Sequence, residues 1–410
     1  MTIEFSLNKR QLEMTSMIRQ FAEGIVRPES LKWDREHGVP HDFLRRIVMM
    51  AQSMGGGLVM GPNRGSTETV EMSAEDKRKR QPALSTILSA EELSWGDAGL
   101  LLCLPGAGLG GPPVRASGTP EQKQRFFSIF DDPAGELKWG AYALTEPGAG
   151  SDVAGIRTSC RKDGKHYVIN GRKCFITNGA RASWNVVFAT IDPSLGRAGH
   201  RAFVVEKGTP GFSVGKIEDK MGLRASETAE LVFEDCRVPE ENLLGGEDSY
   251  RTKEGFMTAM KTFDTTRPMV AAMALGIGRA AYDYATGFVK DHYVMSRPIP
   301  RYAAIAERLA RVGRGLQAAR MATWRAAWLA DQGESNAKEA SMCKAMAGGA
   351  SIRACIDAIE ICGAEGSIAS EHQLLEKWFR DIKVYDIFEG TGQIQRIVVS
   401  KRLLPDLKSF

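Results

Sequence analysis

The spacing of apolar residues changes twice along this chain, and this change constrains the fold more than any single motif does. Up to about residue 138, and again beyond about residue 251, apolar residues recur at helical spacing, as in KRQLEMTSMIRQFAEGIV and ERLARVGRGLQAARMATWRAAWLA. Between these two regions, apolar and polar residues alternate, as they do in β-strands. Strand–helix–strand units do not repeat, so the order helix, β, helix argues against a Rossmann domain and predicts an α+β protein.

We therefore predict three domains: a helical N-terminal domain over residues 1–138, an antiparallel β domain over 139–250 and a helical bundle over 251–410. Thr119, Pro120 and Gln122 predict the start of a helix, as N-cap, first helical residue and partner in a capping box. The dipeptide Asn170-Gly171 lies between two β-rich runs and predicts a tight hairpin turn.

Composition excludes several classes of protein. The 54 basic and 50 acidic residues are spread along the chain, so no face is expected to bind nucleic acid. The seven cysteines form no C-x-x-C pair, and neither disulfides nor a metal site are expected. No apolar run reaches the length of a membrane span, and the N-terminus lacks the apolar core of a signal peptide. We expect a cytoplasmic protein. The charged stretch GPNRGSTETVEMSAEDKRKRQ predicts a solvated loop.

Three short motifs leave two interpretations each. In YALTEPGAGSDVAG, the glycines and hydroxyls form either a plain turn or a loop where a ligand approaches backbone N–H groups. In CFITNG, Phe175 and Thr177 share one face of a strand, which is either ordinary half-buried surface or a ligand platform. In FDTTRP, Arg267 starts a long helix and either pairs with Asp264 or binds a ligand.

Five segments, in this order and at this spacing, resemble the acyl-CoA dehydrogenases, a flavoprotein family: LTEPGAGSD, FITNG, MGLRASETAELVFEDCRVP, FDTTRP and RDIKVYDIFEGTGQIQR. The resemblance covers nearly the whole chain. It implies a helical N-terminal domain, a middle β domain, a C-terminal four-helix bundle and FAD as cofactor.

The resemblance also implies roles for individual residues. FAD would contact Tyr142, Leu144, Thr145, Gly150, Ser151, Phe175, Thr177, Thr391 and Gln393, with Phe175 where many relatives have tryptophan and Thr177 near the flavin N5. The acyl-CoA would be bordered by Ser151, Asp264, Thr266, Arg267 and Gly390. The segment GLLLCLPGAGLG would line the acyl-tail pocket, without defining chain length or branching.

Glu389, in IFEGTGQIQR, is the implied catalytic base. It would remove the α proton of the thioester while the β hydride passes to flavin N5, producing a trans-2-enoyl-CoA. The backbone N–H of Glu389 would polarise the thioester carbonyl. Relatives that carry the base on another helix have it where this chain has Thr266, which cannot act as such a base. Without the resemblance, Glu389 is better explained as an acid at the start of the helix near Thr391.

The chain departs from the family pattern where relatives hold FAD across a subunit boundary. The changed positions are His292, Met295, Ser296, Ala303, Glu360 and Ala364. An acid at Glu360 is unfavourable beside a pyrophosphate. The departures leave open a homo-oligomer with altered FAD contacts or a hetero-oligomer whose partner chain supplies them.

The resulting hypothesis is an FAD-dependent acyl-CoA dehydrogenase, a homotetramer or homodimer, that passes electrons to an electron-transfer flavoprotein. Two alternatives stay open. One is an oxidase-type flavoprotein that reduces O2, and the other is a non-catalytic partner subunit that has lost flavin.

Overall fold

The computed structural model describes residues 5–53, 73–131, 136–250, 254–294, 297–298 and 301–404. Before the sheet, the described chain forms seven α-helices: α1 Lys9–Phe21, α2 Arg27–Glu36, α3 His41–Ser53, α4 Ala74–Arg80, α5 Pro82–Leu102, α6 Gly111–Ser117 and α7 Pro120–Ser128. The predicted start of α7 is confirmed, since Thr119 and Gln122 exchange both capping-box hydrogen bonds. None of the described helices combines the length and the apolarity that a membrane span requires.

Helix α4 corrects the prediction of a loop over residues 61–81. Its first turn carries Glu75 and Asp76, which favour a helix N-terminus, and the Asp76 N–H donates to the Ser73 hydroxyl at 3.0 Å. The N-terminal hydrogen bond and the helix dipole therefore stabilise a helix here, although the segment is rich in charged residues. Residues 61–72 of the predicted loop lie outside the described residues.

A seven-stranded sheet follows: β1 Gly140–Ala143, β2 Ser159–Asp163, β3 His166–Thr177, β4 Trp184–Thr190, β5 His200–Glu206, β6 Phe212–Ile217 and β7 Thr228–Pro239. Its order is β1-β4-β2-β3-β7-β6, with β5 also paired to β4. Most neighbours are antiparallel, as predicted, but β1 and β2 both run parallel to β4.

The Asn170-Gly171 hairpin is wrong, because both residues lie inside the single strand β3. The turn lies earlier, where Asp163 pairs with His166. At Gly171 the register of β3 on β7 shifts, and the backbone takes a φ of 147°. A Cβ there would lie 2.6 Å from the Thr158 hydroxyl, so glycine permits a bulge rather than a reversal of the chain.

The remaining chain forms α8 Glu254–Asp291, the short strands β8 Tyr293–Val294 and β9 Arg297–Pro298, and then α9 Ala303–Asp331, α10 Ala337–Ile361, α11 Gln373–Ile382 and α12 Gly392–Leu403. Helices α8, α9 and α10 pack on each other and on α5 around a shared apolar core. Gly276 permits the close approach of α8 to α5, since a Cβ there would lie 2.4 Å from the Glu91 carbonyl.

Arg267 does not start a helix, contrary to our expectation, because α8 begins at Glu254 and continues through Pro268. Proline is common in the first turn of helices, and FDTTRP therefore resembles a helix start in the sequence. Arg267 instead lies more than three turns after the start of α8, next to Thr266.

A buried lysine connects the three regions of the chain. The Lys377 ammonium lies 2.7 Å from Asp97 in α5 and 2.5 Å from Asp381 in α11. Asp381 also accepts the backbone N–H of Leu223, from the segment before β7, at 2.6 Å. Burial opposes the charge of Lys377, but the two carboxylates outweigh it and raise the pKa of Lys377. The N-terminal helices, the β region and the bundle thus share one charge cluster.

We expect Lys377→Met to lower the free energy of unfolding by about 3–5 kcal/mol, because Asp97 and Asp381 would remain buried without their cation. Urea unfolding followed by circular dichroism measures the loss. Lys162→Met is the matched control: its ion pair with Glu247 involves a lysine side chain that is 44% exposed, so water already screens the charges. Equal losses in the two variants would contradict this account.

Candidate active site

Glu389 lies between a short 3-10 segment, Lys383–Asp386, and helix α12. Its backbone has a φ of 54°, in the left-handed region that costs a non-glycine residue about 1–3 kcal/mol, and Gly390 follows with a φ of 92°. The Thr266 hydroxyl donates to Glu389 Oε2 at 2.6 Å. The carboxylate therefore faces α8. The helix-capping alternative is wrong, because Thr391 is the N-cap of α12 and accepts the Ile394 N–H.

The environment of the Glu389 carboxyl favours the protonated form. The residue as a whole is half-buried, but desolvation of its carboxyl is the largest influence and raises the pKa of Glu389. Thr266, Arg267 and Lys344 act in the opposite direction without cancelling the effect. A carboxylate in this setting is a stronger base than one in water.

Two cations lie near this carboxylate. Arg267 Nη1 is 3.4 Å from Asp264 Oδ1, so the predicted ion pair is present, yet Arg267 Nε is buried with no hydrogen-bond partner among the described residues. Lys344, on α10, is 1% exposed, and its ammonium likewise has no partner in the described part of the chain. Burial lowers the pKa of Lys344 to about 8. These unpaired donors indicate a site that binds a polar group.

Tyr142, on β1, reaches the same region. Its ring packs edge-on against Phe263 in α8, with centroids 5.8 Å apart, and against Phe188 at 5.1 Å. Its hydroxyl is buried without a partner among the described residues, and burial followed by the charge of Glu389 raises the pKa of Tyr142. The structure therefore brings this predicted cofactor residue close to the predicted base.

The loop after β1 is tied to β3 by a buried ion pair. The Lys173 ammonium donates to the Leu144 carbonyl at 3.0 Å and to Glu146 Oε1 at 2.7 Å, with no exposure of the lysine side chain. Glu146 also accepts the Arg157 and Thr158 N–H groups at 2.6 and 2.9 Å. Burial opposes ionisation of Glu146, but Lys173 and these hydrogen bonds outweigh it and lower its pKa.

This loop presents backbone and hydroxyl groups to an open space. Leu144 is buried and Thr145 is half-buried, whereas Gly150 and Ser151 are exposed. A Cβ added at Gly148 or Gly150 would meet nothing within 4 Å. A ligand could therefore approach the loop from this side.

Phe175 lies on β3, two residues after Lys173, and is 64% exposed. Cys174 and Ile176 are buried, so Phe175 and the half-buried Thr177 both face the open side. Alternation fails just before Phe175, since Lys173 is fully buried: β3 shifts register between Lys173 and Ile176, and Phe175 takes a φ of 59°. An exposed ring beside a hydroxyl and a glycine loop fits a flat, polar-edged cofactor such as FAD.

Thr391, Gln393 and Gly390 lie at the start of α12, beside the base. Thr391 and Gly390 are half-buried, and Gln393 is exposed on the first helical turn. Gln395, which the sequence analysis did not select, is fully buried and donates from Nε2 to the carbonyls of Glu389 and Gly390.

The departures from the family pattern lie on the bundle. His292 is exposed and stacks on Phe288, with ring centroids 3.5 Å apart. Ala303 is exposed at the start of α9, and Ala364 precedes a 3-10 turn. Glu360 forms an ion pair with Arg308 of α9, so its charge is compensated within the chain. Met295 and Ser296 lie outside the described residues.

Comparisons with known proteins identify the family and the fold. Residues 141–236 match the acyl-CoA dehydrogenase middle domain, and residues 253–404 match the acyl-CoA dehydrogenase C-terminal domain. Acryloyl-CoA reductase (NADH) of Anaerotignum propionicum is 36% identical over 98% of this chain and 96% of that protein. The short-chain-specific acyl-CoA dehydrogenase of Clostridium acetobutylicum is 35% identical over 98% of this chain and 100% of that protein. The butyryl-CoA dehydrogenase structure from Megasphaera elsdenii has a TM-score of 0.85 at 33% identity. The match covers 98% of this chain and 100% of that chain.

The helical, β and helical regions and the site between them define a flavoprotein oxidoreductase. The chain belongs to the acyl-CoA dehydrogenase family, and its cofactor is FAD. The individual cofactor and substrate contacts predicted above stay predictions.

The sequence analysis missed several residues that shape the site: Lys173, Glu146, Lys344 and Gln395. Lys173 follows another basic residue, Arg172, so no local pattern in the sequence marks it as buried. Lys344 and Gln395 sit in ordinary helical patterns, and only the packing of α10 and α12 against the Glu389 turn reveals them.

We expect Lys173→Met to release FAD and to lower the free energy of unfolding by about 3–5 kcal/mol, because Glu146 would remain buried without its cation. The double variant Lys173→Met with Glu146→Gln removes both charges and should recover part of the stability. FAD content after gel filtration and urea unfolding measure the two effects. Full FAD retention in the single variant would show that this pair does not hold the cofactor loop.

Proposed function

We propose that this chain catalyses the α,β-dehydrogenation of an acyl-CoA thioester to a trans-2-enoyl-CoA, with Glu389 as the base. One observation carries the proposal: a carboxyl that burial makes more basic is held in a strained left-handed turn and accepts a hydrogen bond from the Thr266 hydroxyl. A carboxylate placed only to cap a helix needs neither the strain nor the desolvation.

Groups of Glu389 and Thr266 have separate roles in the removal of the α proton. The α proton of a thioester is weakly acidic, and desolvation makes the Glu389 carboxylate a stronger base for its removal. The Thr266 hydroxyl orients that carboxylate, and the Glu389 N–H is the donor proposed for the thioester oxygen, where enolate charge develops. Bound FAD supplies the acceptor for the β hydride, so the substrate loses one proton and one hydride in total.

The relatives support a short acyl chain as the substrate. The Clostridium acetobutylicum protein is named as short-chain specific, and the Megasphaera elsdenii structure is a butyryl-CoA dehydrogenase. In the segment predicted to line the tail pocket, Leu100, Cys103 and Ala107 are buried in the protein core. The half-buried Leu101 and Leu102 are the better candidates for contact with the acyl chain.

The reverse reaction is a second candidate, since the relative that is 36% identical is named a reductase. Both directions use Glu389 at the α carbon. Anaerobic titration follows both half-reactions, the bleaching of oxidised flavin by saturated thioesters and the reoxidation of reduced flavin by 2-enoyl thioesters. Turnover with an electron-transfer flavoprotein as acceptor would indicate a dehydrogenase, and turnover with NADH as donor would indicate a reductase.

The same titration tests the remaining alternatives. We propose an electron-transfer flavoprotein as the acceptor, so substrate-reduced protein should reoxidise slowly in air and rapidly with that acceptor. Rapid reoxidation by air alone would indicate an oxidase. A colourless protein that no thioester bleaches after addition of FAD would indicate a non-catalytic partner subunit.

We expect Glu389→Gln to lower turnover by at least about 10²-fold while FAD is retained, because the amide keeps the shape of the side chain and removes the base. Single-turnover bleaching of the flavin measures the effect. Glu371→Gln, at an exposed position of the bundle, is the control and should bleach normally. Near-normal bleaching by Glu389→Gln would disprove the assignment of the base.

We expect Thr266→Val to move the acid limb of the kcat/KM–pH profile to higher pH. The Thr266 hydroxyl stabilises the Glu389 carboxylate, so its removal raises the pKa of Glu389 further, and a larger fraction of the enzyme lacks the ionised base at a given low pH. Thr286→Val is the matched control on the same helix, since the Thr286 hydroxyl donates to the Tyr282 carbonyl. An unchanged or lower apparent pKa in Thr266→Val would contradict the proposed contact.

A further inference from the structure

Gln395 lies on the first turn of α12, six residues after Glu389, and its side chain is fully buried. Its Nε2 donates to the Glu389 carbonyl at 3.3 Å and to the Gly390 carbonyl at 3.1 Å. One side-chain amide therefore binds two successive backbone carbonyls of the turn that carries the base. Gln395 has no role in the sequence-based assignments.

The turn requires such a contact. Glu389 and Gly390 both have positive φ, at 54° and 92°, and neither carbonyl lies within a helix. The absence of a side chain at Gly390 admits the amide, since a Cβ there would lie 2.4 Å from Gln395 Nε2. Strained backbone persists only where its surroundings hold it. Glycine at 390 and glutamine at 395 together provide that support.

We propose that Gln395 is a positioning residue for the dehydrogenation, which sets the direction of the Glu389 carboxylate and of the neighbouring N–H group toward the thioester. The inference rests on the proposed function, because it assigns Gln395 a role through Glu389. Both the base and the proposed carbonyl donor belong to Glu389, so a shift of this turn displaces them together.

A purely structural role at the start of α12 is a weaker explanation. Thr391 already caps this helix through its hydroxyl, and the Gln395 backbone N–H donates to the Thr391 carbonyl at 2.9 Å. Both interactions stay when the side chain alone is changed. The side-chain amide of Gln395 acts instead on the two residues before the helix.

Gln395→Met tests the proposal, because methionine has similar length and volume but cannot donate a hydrogen bond. We expect flavin reduction by a saturated acyl-CoA to slow by about 10- to 100-fold, as for a misplaced catalytic group, with FAD content and KM changed less than about threefold. Gln317→Met, at an exposed site on α9, is the matched control and should not change the rate.

The decisive measurement is a double-mutant cycle with Glu389→Gln. In that background, Gln395→Met should slow flavin reduction by no more than about twofold, because the group that it positions is already absent. The same fractional loss in both backgrounds, or no loss in the single variant, would overturn the proposal. If Glu389→Gln itself retained activity, the proposed function would fail instead, and this outcome is distinguishable from the first.

Gly390→Ala keeps the proposal testable if Gln395→Met does not fold. The added Cβ displaces the Gln395 amide without removing it and disfavours the positive φ. The same selective loss of the reduction rate, with FAD retained, would support the positioning role. An unchanged reduction rate in folded Gly390→Ala would overturn it.

Discussion

The buried ammonium of Lys377 is the interaction on which the arrangement of the molecule depends. It neutralises Asp97, where α5 departs from helical geometry at a φ of −162°, and Asp381, which also binds the backbone before β7. Helix α11 ends at Ile382, and the chain continues from there through the 3-10 segment Lys383–Asp386 to Glu389. The position of the base relative to the β region is therefore set by a charge cluster that burial makes costly to break.

Polar groups around the site fall into two sets with different roles. Groups that shape the backbone are paired: Lys173 with Glu146, and the Gln395 amide nitrogen with two carbonyls. Groups that face the space beside Glu389 are not paired within the described chain, namely Tyr142 Oη, Arg267 Nε and Lys344 Nζ. An unsatisfied buried donor costs about 1–3 kcal/mol, so their clustering is understandable where a cofactor and substrate supply the partners.

Predictions from the sequence were correct where residues close together in the chain determine the structure. The change of apolar period predicted the order of helical, β and helical regions, and the capping box at Thr119 predicted the start of α7. Predictions failed where a residue serves two local patterns: Asn170-Gly171 forms a bulge instead of a turn, and Pro268 continues a helix instead of opening one. Long-range partners such as Lys377 with Asp97 leave no local pattern, because their pairing exists only after the helices pack.

The altered residues on the bundle have a local electrostatic explanation. Glu360 would repel a pyrophosphate if it were isolated, but Arg308 pairs with it, and Asp357 nearby is paired with Arg353 at 2.9 Å. Arg311 lies 3.7 Å from the same Asp357 and 3.8 Å from Glu307, so three arginines balance three acids, and the positive charge beside Glu360 is that of Arg308. That charge comes from the chain itself. A homo-oligomer therefore needs no cation from a different partner chain to offset Glu360, which favours it over a hetero-oligomer.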